Sequence, residues 1–343
     1  MKRRILTVVL TLLALLICLP AMAEMTEDGV FVIKKWKSYD ALVEMIEEAG
    51  VPQIIDISKQ SISMDHMDRL FAAYPDVEFR YRIRVFKQHV LYSETSLDFA
   101  YNEFEDMDEM LRCMSYFPNA TYIRALGTLF TAEEMERFVT AYPDVEYLFK
   151  VKMGSHRIRT DITAFCTKHA LYTKKRYNEN DLAVFKYCRN LKALDFGHNS
   201  VTSLEFIRDL PPLQILLCCD NKITDLTPLE SQPGIIYLEL FYNYELEDIS
   251  PITNLPDLID LHIGDCNISD ITPLFELKKL DRLWMPDNPI PEEQVEAIRA
   301  AMPNTKINTT ASKHPTAEGW RQGHPRYLKI ADMFQKNKYV NFP

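Results

Sequence analysis

Glycine is scarce: the chain has nine in 343 residues. So few glycines exclude most nucleotide-cradling loops, and neither GxGxxG nor GxxxxGK[ST] occurs. HExxH and GxSxG are missing too. No cysteines stand in a CxxC pair, which removes the common zinc frameworks. The histidines are scattered, with no pair at metal-ligand spacing on a helix-patterned segment. No metal, cofactor or catalytic activity is therefore expected. The one catalytic alternative is a nucleophile assembled from Cys219 with His198 or His262. Against it, Cys218 and Cys266 fall at positions expected to be inward, where thiols are usually inert.

Long apolar runs are also lacking, except at the start. Lys2, Arg3 and Arg4 precede an apolar stretch from Ile5 to Leu19, then Pro20 and Ala21-Met22-Ala23. This predicts a secretory signal peptide over 1–23, cleaved near Ala23. The apolar stretch is shorter than the roughly 20 residues a membrane span needs. The mature chain is thus expected to be secreted or associated with the cell surface, without a membrane span. Loss of Lys2, Arg3 and Arg4 leaves 36 basic against 49 acidic side chains, a net charge of −13. That balance speaks against nucleic acid or anionic membranes as partners. Cys113, Cys166, Cys188, Cys218, Cys219 and Cys266 remain, an even number that permits disulfides in an exported chain.

What the chain does have is repetition. From 191 to 290 a pattern LxxLxLxx(N/C)xL returns five times with a period of 22, once 23. It starts at Leu191, Leu213, Ile235, Leu258 and Leu280, and its polar position holds Asn199, Asn221, Asn243, Cys266 and Asn288. The LxL core predicts a short strand with alternating inward residues. The asparagine predicts an amide that bonds buried backbone groups of adjacent turns. Thr224 to Leu229, Glu247 to Ile252 and Ser269 to Leu277 follow an xDIxPLxxL pattern and return the chain along the other side.

These return segments resemble the 22-residue repeats of the internalin family of bacterial surface proteins. The resemblance covers some 100 to 120 residues and implies a leucine-rich-repeat solenoid whose concave sheet binds a protein partner. The expected fold class is α/β, with a curved parallel sheet on the concave face. No immunoglobulin-like segment or wall-anchoring tail of the family's kind is evident after the repeats.

The N-terminal half repeats on a longer period. Leu70-Phe71-Ala-Ala-Tyr74-Pro75-Asp-Val77 returns as Phe138-Val-Thr-Ala-Tyr142-Pro143-Asp-Val145. At the same offset again stands Phe206-Ile-Arg-Asp-Leu210-Pro211-Pro-Leu213. The last copy lies at the junction of the first two 22-residue units. Residues 24–188 are therefore expected to be diverged, longer strand–helix repeats, with a separate α+β domain as the alternative. Helices are predicted over Ala41–Glu48, Met64–Ala73, Met107–Tyr116, Glu133–Ala141 and Asn180–Tyr187. Strands are predicted near Gln53–Ile57, Val77–Val85, Ser96–Ala100, Thr121–Leu126 and Val145–Val151. Arg80 to Lys87 is expected to form an added hairpin. The repeat domain is expected to span 189–308 and to end in a capping helix opened by Pro291, because a terminal repeat otherwise exposes its apolar edge. A basic tail with a short helix should fill 309–343, and its charge favours folding back on the acidic solenoid.

Strand alternation directs four columns of each repeat to the concave face. They bring together Leu217, Tyr237, Glu239, Phe241, Tyr242, His262, Asp265, Trp284 and Asp287, an aromatic strip rimmed by carboxylates. Aromatic residues dominate binding hot spots, so these nine are the candidate partner-binding residues. A protein is the expected partner, and a cell-wall glycan or peptide is the alternative.

Overall fold

The structure, a computed structural model, describes residues 22–167, 176–310 and 319–343. The predicted leader lies almost wholly outside these residues, as do His169 and most of the segment before Gly319. The chain forms two compact units. One holds the chain up to Thr128 together with Glu136–Tyr147; the other holds Leu129–Met135 and Leu148–Pro343.

The first unit opens with β1 (Ala23–Met25) antiparallel to β2 (Val30–Ile33). There follow α1 (Tyr39–Glu48), β3 (Ile54–Ser63), α2 (Met64–Ala73), β4 (Glu78–Val85) and β5 (Gln88–Leu91). Strands β2, β3 and β4 are parallel, and β5 turns back against β4, giving a five-stranded sheet in chain order. Next along the chain come β6 (Ser96–Asp98), α3 (Met107–Ser115), β7 (Tyr122–Phe130), α4 (Ala132–Ala141), β8 (Glu146–Met153) and β9 (His156–Arg159), of which β9 and β8 from Leu148 onward belong to the second unit. The series from α1 to β5 recurs, element for element, as the series from α3 to β9. The offset is the one that relates Tyr74 to Tyr142 in the sequence.

The helices start where they do because their caps recur at the same interval. Ser38 and Asp106 accept from the backbone N–H of Ala41 and Glu109. Ser63 and Thr131 do the same for His66 and Glu134. Leu42, Ile46, Met67 and Leu70 on α1 and α2, and Met107, Met110 and Cys113 on α3, are buried at helical spacing. The hairpin predicted over Arg80–Lys87 is β4–β5. Of its twin, β8–β9, the sequence predicts only the first strand, near Val145–Val151; the hairpin turns at Gly154, whose φ of 56° favours glycine.

The second unit contains a seven-stranded parallel sheet: β10 (Ala164–Cys166), β11 (Ala193–Asp195), β12 (Ile215–Leu217), β13 (Tyr237–Glu239), β14 (Asp260–His262), β15 (Arg282–Trp284) and β16 (Lys306–Asn308). Equivalent residues pair in register from one repeat to the next, as in Leu194, Leu216, Leu238, Leu261 and Leu283. The sheet begins one strand before the first recognisable repeat. Ala164-Phe165-Cys166 lacks leucine, so the sequence pattern does not reveal it. Between strands the chain returns through short 3-10 turns, such as Thr227–Ser231 and Thr272–Glu276, each with proline near its start.

The asparagine column works as its spacing predicts. Asn221 Oδ1 accepts from Val201 N, while its Nδ2 donates to Phe196, Cys218 and Cys219 carbonyls. Asn199, Asn243 and Asn288 repeat the arrangement. At Cys266 only the donor half survives: its thiol reaches Leu240 O at 3.6 Å and Gly264 O at 3.5 Å.

The short helix α5 (Glu179–Leu182) lies between β10 and β11, and the far end closes with α6 (Glu292–Ala301), which buries Val295 and Ile298. The last element is α7 (Pro325–Lys336), which buries Ile330, Met333 and Phe334. All six described cysteines are free thiols. No helix among the described residues is long and apolar enough to cross a membrane.

Candidate functional site

The concave strip is roofed by the chain's own tail. Trp320 sits on the strand floor, fully buried, with its ring 5.5 Å from Tyr237, 5.2 Å from Trp284 and 5.1 Å from His262. Its Nε1 donates to Glu239 Oε1 at 2.7 Å, and Tyr237 donates to the same oxygen at 2.7 Å. Arg321 closes an ion pair with Glu239 and places its guanidinium 5.4 Å from the Phe241 ring centre and 5.0 Å from that of Tyr327. Phe342 completes the cover over Tyr237.

A second ionic group lies beside it. Asp260 is fully buried and takes a two-pronged contact from Arg282, 2.8 Å on each side. Arg326 of α7 adds a third contact at 2.8 Å and also reaches Asp281 at 2.6 Å. Arg282 in turn donates to the Trp320 carbonyl at 3.0 Å and lies 4.4 Å from that ring's centre. At the other edge, Tyr339 N donates to Thr163 Oγ1 at 2.7 Å, and the Tyr339 hydroxyl donates to Gln214.

The electrostatics follow from this burial. Burial alone would raise the Glu239 carboxyl, but the charge and hydrogen bonds of Arg321 and the Tyr237 hydroxyl outweigh it and hold the group below its ordinary value. Burial pushes Asp195 up, because Arg321 compensates it only in part. Burial and the neighbouring Arg282 hold His324 below the ordinary histidine value. Burial also raises the Cys219 thiol, the opposite of what a nucleophilic cysteine needs.

The nine expected partner-binding residues therefore separate into two sets. Leu217, Tyr237, Glu239, Phe241, His262 and Trp284 lie under the tail, each at most 2% exposed. Strand alternation predicts them on the concave face, where they are; alternation carries no information about what covers them. Tyr242, Asp265 and Asp287 stay outside. Together with His198 and Asp220 they occupy the residue just before the asparagine column, and all five have positive φ, between 50° and 62°. That backbone bend turns their side chains away from the floor onto a rim. Along the rim His198 meets Asp220 at 2.8 Å, and the Tyr242 and Tyr244 rings lie 5.6 Å apart. Burial and the neighbouring Asp287 raise the Asp265 carboxyl.

Sequence reasoning misses Trp320, Arg321, Arg326 and Phe342 as parts of this surface. The signal available is charge: a basic tail facing acidic columns. It misses Tyr244 because that residue lies outside the repeating columns. Among the described residues no group of three metal-ligating side chains converges.

Residues 189–231 match the family model described as Leucine Rich repeats (2 copies). Among solved structures, an internalin C2 from Listeria monocytogenes is 24% identical, over 39% of this chain and 70% of that one, with a TM-score of 0.31. A second internalin from that organism is 15% identical, over 81% and 91%, with a TM-score of 0.34. A leucine-rich-repeat protein from Leptospira interrogans is 14% identical, over 83% and 94%, with a TM-score of 0.29. Likeness at this level passes no activity or partner to this chain. Nothing among curated proteins matches it. On its own repeats, its in-register strands and the family model matched over 189–231, the second unit of the chain carries leucine-rich repeats.

Proposed function

We propose that this protein is a non-catalytic binding module for a protein partner, exported after loss of 1–23, and that it meets its partner along the open rim of the solenoid. The observation that carries this reading is the separation of the nine candidates. The tail seals the floor, while Tyr242, Asp265 and Asp287 stay accessible beside Tyr244, which is 63% exposed. Paired tyrosines flanked by carboxylates offer large contact area at low entropic cost, together with charges that select a partner. A basic or aromatic protein surface suits this rim, and surface adhesion or contact with another cell is the setting such a module fits.

The test is capture from culture extracts with identification by mass spectrometry. Wild-type protein should retain a protein partner that Tyr242→Ser/Tyr244→Ser loses, with the fold of both unchanged by circular dichroism. Undiminished capture by the double variant would remove the rim from the reading. Capture of purified peptidoglycan in place of any protein would favour a cell-wall ligand.

A further inference from the structure

The β8–β9 hairpin carries an arrangement that the rim does not use. Lys150 stands directly opposite Arg159, and Lys152 directly opposite Arg157. Strand alternation puts all four on one face, while Val151, Met153 and Ile158 fill the buried one. Like charges directly opposite each other in an antiparallel pair are destabilising. Acidic residues outnumber basic ones in this chain, 49 to 39, so two facing cation pairs run against its overall charge.

The twin hairpin sharpens the point. In the same register of β4–β5, Arg82 faces Leu91 and Arg84 faces His89. There Arg82 is tied down by the Ser58 and His89 carbonyls, both at 3.3 Å. In β8–β9, no ion pair among the described residues engages Lys150, Lys152 or Arg157. Arg159 is held by Asp161 through two contacts of 2.9 and 2.6 Å. Arg159 also lines an open cavity of about 500 Å³ that is bordered by Lys336 and Lys338. Lys336 pairs with Asp332, and Lys338 has no carboxylate partner among the described residues.

We propose that this hairpin face and the adjoining cavity bind a linear polyanion through its phosphate groups. Three of the four unneutralised cations, Lys150, Lys152 and Lys338, are lysines, with Arg157 the fourth. Lysine acts as a point charge that takes phosphate oxygens from any direction, and the Arg157 guanidinium adds a two-pronged contact to the same groups. Neighbours across the strands lie about 5 Å apart and neighbours along a strand about 7 Å apart, so successive charges of one polymer reach Lys150, Lys152 and Arg157, and Lys338 borders the cavity that Arg159 also lines. The surface is separate from the tyrosine rim, and its test does not depend on the rim.

Linear polyphosphate is the probe, with binding to the full chain followed by fluorescence anisotropy across a salt series. Binding should weaken with salt at a logarithmic slope of about −3, the value for four cations on a single-stranded polyanion. Lys152→Ala/Arg157→Ala should weaken binding about tenfold or more at low salt and reduce the slope by about 1.4. The control Lys59→Ala/Lys222→Ala, exposed lysines elsewhere, should change neither. Absence of binding by the wild type at low salt overturns the proposal, as does equal weakening by the control. Equal affinity for polygalacturonate of the same charge overturns the phosphate assignment. Tighter binding of duplex DNA would give the patch to nucleic acid instead.

Discussion

The long repeats of the N-terminal half and the short repeats that follow build the same strand-and-return step with different chemistry. A long repeat returns through a helix of two to three turns, so its interior fills with methionine, leucine and phenylalanine from helix faces. A short repeat returns through a 3-10 turn of five residues, which leaves more backbone to satisfy. The buried polar and charged side chains reflect this. Among the described residues every one of them lies at Thr160 or later, including Asn199, Asn221, Asn243, Glu239, Asp260 and Arg282. The long repeats need fewer such links and place them at half-buried sites. Gln60 bridges both the N–H and the carbonyl of Trp36, and Thr128, its equivalent in the next long repeat, bridges those of Phe104. The difference teaches where the molecule is fragile: the short-repeat unit depends on individual polar pairs, and the long repeats on distributed apolar packing.

The largest expected effect comes from Arg321→Ala. It leaves the Glu239 carboxylate buried without its cation, and breaking a buried pair on one side costs about 3–5 kcal/mol. Arg112 offers the contrast in the first unit. It meets Asp65 and Asp68 at 2.5 and 2.7 Å but is 39% exposed, and exposed pairs contribute about 0–1 kcal/mol. Urea denaturation of Arg321→Ala and Arg112→Ala should show this disparity. Comparable losses in both would mean that burial is not what separates the two units. Restoration of part of the loss by Glu239→Ala on the Arg321→Ala background would locate the cost in the orphaned charge.

Next come the bridges. Asn243→Ala removes an acceptor for Ile223 N and a donor to the Cys218 and Leu240 carbonyls, all buried, and should cost about 1–3 kcal/mol. Gln60→Ala, at a half-buried site, should cost about 1 kcal/mol or less. Chemical denaturation of the two variants compares the ladders directly.

Acid should separate the units too. His324 is held below its ordinary value of 6.5, so the unfolded chain takes up a proton before the folded one does. Its contribution is complete above pH 6.5 and declines as the pH falls from there toward the depressed folded value. Glu239 has the same sign at lower pH. Its carboxyl is depressed below 4.5, so its contribution holds above 4.5 and is lost as the pH falls through the folded value. Melting of the second unit should therefore shift downward between pH 7.5 and 5.5, and His324→Gln should flatten that shift. An unchanged shift in His324→Gln would assign it to other groups.

Much of this architecture is legible in the sequence, for identifiable reasons. The LxL spacing and the asparagine column are dictated by local geometry, so they yield strands and backbone bridges residue by residue. The long-period echo places α1 to α4 within a few residues because cap, apolar face and strand recur together. The β8–β9 hairpin escapes because its second strand has only four residues, three of them basic or histidine. The roof escapes in detail because it depends on single side chains. Charge indicates that the tail returns to the solenoid. Nothing in the pattern around Trp320 indicates that this residue sits on Glu239, since non-repeating contacts leave no period to read.

The smallest effect tests whether the rim is shaped for binding at the expense of stability. Asp220, Asp265 and Asp287 tolerate the left-handed backbone of their column better than a bulky residue does, yet Tyr242 adopts it with φ of 62°. Aspartate and asparagine ease this conformation through local hydrogen bonds, which tyrosine cannot make. Tyr242→Asn should therefore stabilise the second unit by up to about 1 kcal/mol, even though it deletes a ring that packs against Tyr244 and Phe241. If the rim is the binding surface, the same variant should lose partner capture while gaining stability. Thermal melts and capture on one protein sample read both quantities. A variant that loses stability and capture together would mean that Tyr242 serves the fold, and the rim would then belong with the floor as structure.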